Sequence, residues 1–152
     1  MDIAKEAADL VAQQQPEEQR ERLGVLSSVF EYSRNLDPVD VGEGVQILLD
    51  AALQVNPADE ETKEAFLDTI YSAVVSRDVG DRVNWDGLIP VLPSLEKKPL
   101  LEYALDVLGL SGQEKYLPVI EKYTHHSDPD VRQSVEDAIN EITYRVAHRS
   151  EK

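Results

Sequence analysis

Three histidines are the first residues to consider for catalysis or metal binding. His125 and His126 are adjacent and lie just before Asp128, whereas His148 stands alone near the end of the chain. Neighbouring residues on a helix point about 100° apart, so a regular helix does not present both imidazoles to one ion. The chain also has no cysteine, which excludes thiolate catalysis and Cys-based metal sites. We interpret the histidine pair as a solvated helix end, and the sequence predicts no metal and no cofactor.

Other catalytic motifs are weak. The segment that starts at Asp128 resembles a calcium loop only superficially, because an EF-hand needs a glycine at the sixth position and Gln133 stands there. The glycine-containing segments 42–44 and 109–112 follow no predicted strand and supply no phosphate-binding lysine. The chain has no HExxH, nucleophile-elbow or dinucleotide-binding motif. The sequence therefore predicts a protein that is not an enzyme.

Carboxylates are the most abundant reactive groups, and they give the chain a net charge of −15 at pH 7. A field of this sign repels phosphate backbones and anionic lipids, so we expect no direct binding to nucleic acid or membranes. A basic protein would be attracted instead. Segment 35–68 is the most acidic part, because Lys63 is its only basic residue. Its acids are Asp37, Asp40, Glu43, Asp50, Asp59, Glu60, Glu61, Glu64 and Asp68.

One predicted helix face combines carboxylates with an aromatic side chain. Glu60, Glu64 and Asp68 follow one another at helical spacing, and Tyr71 continues the stripe. Like charges spaced in this way destabilise an isolated helix by about 0.2–0.5 kcal/mol per pair. We interpret this stripe, together with Asp50 on the polar face of the preceding helix, as a binding face for a basic partner with Tyr71 as an anchor. The alternative is a solvated face that is acidic for solubility.

The elements that must position these residues are helical along the whole chain. Apolar residues recur at helical spacing, and the pairs Asp37-Pro38, Asn56-Pro57 and Asp128-Pro129 are typical helix starts. No alternating run is long enough to predict a strand. The sequence predicts an all-α fold of about seven helices in one domain, 1–152, with residues 1–35 as an N-terminal cap. Trp85 is expected to be buried at the start of a short helix, 85–92.

Two segments of the C-terminal half are similar to each other. Leu88-Ile-Pro-Val-Leu92 aligns with Leu117-Pro-Val-Ile120 through the prolines at 90 and 118. The second copy leads into the turn Asp128-Pro-Asp-Val-Arg132. Over about residues 84–146 this pattern resembles a HEAT-type helical repeat, in which an Asp and an Arg stabilise the turn between stacked hairpins. Asp130 and Arg132 occupy the matching positions.

The resemblance implies a short right-handed α-solenoid of antiparallel helix hairpins. Each hairpin of a solenoid leaves one face bare and buries it on the next, which produces a continuous core and a curved surface. The alternative is an ordinary helical bundle in which two hairpins are alike by chance. The first copy lacks the Asp/Arg pair, so it would be a degenerate repeat.

A second resemblance concerns function. Val83-Asn-Trp-Asp-Gly-Leu-Ile89, segment 105–112 and Tyr116-Leu-Pro-Val-Ile-Glu121 look like parts of small bacterial immunity proteins with HEAT-like helices. The resemblance implies a stoichiometric, non-enzymatic inhibitor that plugs a cognate toxin domain, frequently a basic nuclease, in polymorphic or contact-dependent growth inhibition systems. It assigns no individual binding residue, because these interfaces vary with the toxin. We expect a monomer before binding.

The first residues lack the basic start and apolar run of a signal peptide, so the sequence predicts a cytoplasmic protein. A stand-alone HEAT-like scaffold or regulatory subunit without a toxin partner is the alternative function. An enzyme on a HEAT-like fold is a third, and a DNA glycosylase of that kind would need a basic groove.

Overall fold

The computed structural model describes residues 2–149, and this part of the chain is all-α. Within it there is no strand, which confirms the predicted fold class. The seven α-helices are α1 (Ile3–Val11), α2 (Pro16–Tyr32), α3 (Pro38–Ala52), α4 (Glu60–Arg77), α5 (Lys98–Leu110), α6 (Leu117–Glu121) and α7 (Pro129–Ala147). Three 3₁₀ helices also occur, at Gly80–Arg82, Asp86–Ser94 and Glu114–Tyr116.

Side-chain caps define where several helices begin. The predicted starts of α3 and α7 are confirmed, because the carboxylates of Asp37 and Asp128 cap them and a proline occupies the first helical position. The start predicted at Asn56 is wrong. Asn56 Oδ1 instead accepts a hydrogen bond from the Ala58 amide at 2.9 Å, which closes a turn. Helix α4 therefore begins later, where Asp59 Oδ1 accepts from the Thr62 amide at 3.1 Å.

The helices pack in two layers. In one layer α1 packs on α3, and in the other α2 packs on α4, so the first helix pair stacks on the second. The second layer continues from α4 to α5 and from α5 to α7, while α6 packs on α7. This order is compatible with a helical solenoid. The HEAT-like repeat and its right-handed sense stay predictions.

The opening helix α1 packs along α3. Ile3, Ala7 and Leu10 are buried, as the apolar stripe of a helix requires. The carboxylate of Asp40 on α3 accepts hydrogen bonds from the backbone amides of Ile3 (2.7 Å) and Ala4 (2.9 Å). These amides have no partner within α1, so the contact satisfies the helix start and fixes α1 to α3.

Trp85 is buried, as predicted, and it connects two of the 3₁₀ helices. Its indole N–H donates to the Gly80 carbonyl at 2.8 Å, and its backbone N–H donates to the Tyr116 hydroxyl at 3.2 Å. That hydroxyl in turn donates to Asp86 at 2.8 Å. The short helix predicted at 85–92 is present as a 3₁₀ helix, Asp86–Ser94. Its two internal prolines lack the N–H groups that an α-helical ladder needs.

Arg132 and Asp130 both make contacts at the turn before α7. The guanidinium of Arg132 donates to the carbonyls of His126 (2.7 Å) and Ser127 (3.2 Å). Asp130 forms an ion pair with Lys98 at the start of α5, so the turn is also fixed to the preceding helix. Across residues 2–149, none of the helices combines the length and the apolar character needed to cross a membrane.

Candidate protein-interaction site

Two tyrosines meet where α4 packs on α5. The ring centroids of Tyr71 and Tyr103 are 5.4 Å apart, with an angle of 44° between the ring planes. Both side chains are half-buried, so their rings are held in place while part of each surface faces solvent. Burial, together with the nearby charge of Asp68 and a hydrogen bond to it, raises the pKa of Tyr103 to about 12. The phenol is therefore protonated at neutral pH.

A shallow acidic surface lies on one side of the tyrosine pair. We call it the acidic groove, and it has a volume of about 460 Å³. Among residues 2–149, Arg20 is the one basic residue that lines it, and that guanidinium is already held by Glu61 (3.5 Å) and by the Thr62 hydroxyl (2.9 Å). The groove therefore presents net negative charge. Its lining consists of Arg20 and Glu21 from α2, Glu61, Glu64, Ala65 and Asp68 from α4, and Tyr103 from α5.

A second depression lies on the other side of the pair, between α4, α5 and α7. We call it the carboxylate pocket, and it has a volume of about 190 Å³. Tyr71 lines it, so the tyrosine pair joins the acidic groove to this pocket. Burial and the neighbouring charges of Glu102 and Asp137 raise the pKa of Asp106 to about 6. The pocket is lined by Tyr71, Asp106, Leu110, Asp137, Ala138 and Glu141.

The structure brings three of the five predicted binding residues to this surface. Glu64 and Asp68 line the acidic groove, and Tyr71 lies between the groove and the carboxylate pocket. All three residues lie on one face of α4, as their spacing in the sequence predicts.

The other two predicted residues lie elsewhere. Glu60, at the first position of α4, forms an ion pair with Lys97 at 3.1 Å, so its charge is compensated within the chain. Asp50 lies on α3 and accepts a hydrogen bond from Gln46 at 3.2 Å. The same Gln46 amide donates to the Asn84 carbonyl at 3.3 Å. This places Asp50 in the layer of α1 and α3 and not at the groove.

Sequence reasoning missed Tyr103 and Asp106. Both come from α5, and their side chains meet α4 only because the two helices pack together. A local signal was present, because the two residues are three positions apart and lie beside the buried stripe of Leu101, Leu105 and Leu108. That signal identifies a helix face, but it does not identify the neighbouring helix.

The histidines lie apart from this surface. His126 Nδ1 accepts a hydrogen bond from the Asp128 amide at 3.0 Å, next to the cap of α7. His125 is exposed, and the ring of His148 stacks on Tyr144 with a centroid distance of 4.0 Å. In the described range, no three His, Asp or Glu side chains converge as metal ligands.

Comparisons with known proteins give no assignment: no protein-family model matches the sequence, and no match was found among curated proteins or solved structures. The class defined by fold and site is an all-α protein whose surface combines carboxylates with a tyrosine pair. The functional interpretation depends on that surface.

Proposed function

We propose that this protein is a non-enzymatic protein-binding module that recognises a basic protein through the acidic groove. The observation that carries the proposal is the half-buried pair Tyr71 and Tyr103, bordered by Glu64 and Asp68. Between residues 2 and 149 neither of these two carboxylates is in an ion pair, unlike the residues at 60 and 61. A rigid aromatic centre with charged surroundings is the usual composition of a binding hot spot.

We further propose that the protein is a cytoplasmic immunity protein and that its partner is a cognate toxin domain. The resemblance of segments 83–89, 105–112 and 116–121 to such proteins supports this assignment, as do the small helical fold and the net charge of −15. A nuclease toxin is the partner that the charge favours most, because its substrate groove attracts anions. Carboxylates in the acidic groove would then occupy the positions of substrate phosphates.

The two parts of the surface would have different kinetic roles. Uncompensated carboxylates attract a basic partner over a distance of about 8 Å at physiological salt, which raises the association rate. The tyrosine pair is already ordered in the free protein, so its burial against a partner would slow dissociation with little loss of conformational entropy.

The first experiment is affinity capture of the tagged protein from the lysate of its own host, washed through a salt series. Recovery of one basic toxin domain at near-equal stoichiometry is the expected result. Release of that domain by about 0.5 M salt would indicate that steering charges contribute much of the affinity. If the captured proteins are only non-toxin complexes, the immunity assignment is wrong and the scaffold or regulatory subunit becomes the better interpretation.

Charge-reversal variants test the surface itself. The double variant E64K/D68K should weaken binding of the captured partner at least about 100-fold, since it replaces attraction with repulsion at the groove. The matched control is E43K/D50K, which makes the same change in net charge at two exposed positions of α3, in the other layer. The control should bind within a few-fold of the native protein. Equal weakening by the two double variants would show that net charge matters and the groove does not.

A further inference from the structure

Helices α5 and α7 cross at unusually short distance. A Cβ atom added to Gly109 would lie 2.6 Å from Ala138 Cα and 2.8 Å from Ala138 Cβ, so a glycine is required at this crossing. Asp106 lies one turn before the crossing, on the same helix. The close packing therefore holds this carboxylate against α7, where it is half-buried and lines the carboxylate pocket.

The groups that face Asp106 are mostly acidic. From α7 come Asp137 and Glu141, which line the same pocket, and from α4 comes the phenol of Tyr71. Glu102 lies one turn earlier on α5 and adds a further negative charge. The hydroxyl of Ser134 has the opposite effect, because its hydrogen bond stabilises the ionised carboxylate.

Cations compensate only part of this charge. Glu141 Oε1 lies 2.8 Å from Arg145 Nε, and the same guanidinium binds Asp78 at 2.9 Å. Within residues 2–149 no lysine or arginine forms an ion pair with Asp106. A half-buried carboxylate with acidic neighbours and no cation holds its proton more tightly than an exposed aspartate does.

We propose that the carboxylate pocket makes the packing of α7 on α5 sensitive to pH: mildly acidic conditions protonate Asp106, and the protonated pocket holds the two helices together more firmly than the ionised pocket does. The proposal concerns the free protein and does not depend on a partner.

The direction in which stability changes with pH follows from proton linkage. The pKa of Asp106 is about 6 in the folded protein, compared with 3.8 for an ordinary aspartate. The folded state therefore binds the proton more tightly, so stability rises as the pH falls through 6 and levels off near 4. Asp59 and Asp128, the caps of α4 and α7, have lowered pKa values and lose their contribution only below this range. The stability contributed by Asp106 therefore changes at higher pH than the stability contributed by these two caps.

Two measurements test the proposal. Carbon-13 NMR of the native protein should show the Asp106 carboxyl titrating near pH 6, and a midpoint near 4 would overturn the proposal. Thermal unfolding should show a Tm that is higher at pH 5.5 than at pH 7.5 by about 2–3 °C. D106N, which mimics the protonated group, should raise the Tm at pH 7.5 and abolish most of the rise on acidification.

The control is E136Q, which removes an exposed carboxylate from α7 and should leave the rise unchanged. All three histidines stay in both variants, so they cannot produce a difference between D106N and E136Q. If D106N keeps the full rise, Asp106 is not its source. If D106N fails to fold, the NMR midpoint of the native protein decides between titration of Asp106 near pH 6, which supports the proposal, and near pH 4, which overturns it.

Discussion

The crossing of α5 and α7 gives the sharpest test of how this chain is packed, through the substitution Gly109→Ala. The added methyl would lie 2.6 Å from Ala138 Cα and 2.8 Å from its Cβ, closer than real Cβ contacts allow. The atoms it meets include backbone, which cannot move aside as the end of a flexible side chain can. The two helices must therefore separate, and the buried contacts around the crossing loosen together.

The expected loss of stability in Gly109→Ala is the difference between two opposing effects. Inserting a methyl group into a well-packed core costs about 1–3 kcal/mol. Alanine favours a helix over glycine by about 1 kcal/mol in a helix interior, and the gain is smaller at Gly109 because it is the second-last residue of α5. The free energy of unfolding should therefore fall by about 1–2 kcal/mol.

The assay is equilibrium unfolding in urea, in which a lower midpoint at unchanged slope reports a loss of stability. The matched control is Gly24→Ala in the middle of α2, where an added Cβ would meet nothing within 4 Å. This control should raise the free energy of unfolding by about 0.5–1 kcal/mol. The same substitution is thus expected to lower the free energy of unfolding at Gly109 and to raise it at Gly24. A Gly109→Ala protein as stable as the native one would refute the close crossing.

Three further predictions concern the loops, α1 and the groove. Trp85→Phe leaves the Gly80 carbonyl without its indole donor, so calorimetry should show a loss of stability of about 1–3 kcal/mol, and an unchanged Tm would contradict the assigned hydrogen bond. Asp40→Ala removes the acceptor for the first amides of α1, so hydrogen exchange should accelerate in α1 by the equivalent of about 1 kcal/mol while α7 stays protected. Protonation of Asp106, whose pKa is about 6, lowers the negative charge beside the groove, so an arginine-rich peptide should bind more weakly at pH 5.5 than at pH 7.5. That last prediction depends on the proposed function, and equal binding at both pH values would count against it.

The sequence predicts the fold well where the signal is local. Apolar spacing and Asp-Pro starts are properties of one helix, so the starts of α3 and α7 follow from the chain alone. One error also has a local cause. The Asn56 side chain binds the amide two residues on, and α4 begins later than predicted. The short helix predicted at 85–92 is present as a 3₁₀ helix, because its two prolines lack the N–H groups of an α-helical ladder.

The candidate site could be predicted only in part, because it is built by contacts between helices. Glu64, Asp68 and Tyr71 share one face of α4, and helical spacing identifies that face. Whether a carboxylate is compensated depends on residues distant in the sequence. Glu60 looks equivalent to its neighbours in sequence, but Lys97 neutralises it. The partner ring of Tyr103 depends in the same way on the packing of α5 against α4.

The distribution of ion pairs separates the carboxylates that are compensated within the fold from those that are not. At the turn before α7, Lys98 binds Asp128 and Asp130, and Arg145 on α7 binds Glu141 on the same helix and Asp78 at the end of α4. Beside the tyrosine pair, by contrast, no lysine or arginine of the described residues forms an ion pair with Glu64, Asp68 or Asp106. Repulsion there lowers the stability of the free protein, and a basic partner that supplied the missing positive charge would remove that repulsion on binding. If the proposed function is correct, the net destabilisation of this surface contributes to affinity as well as to the rate of encounter.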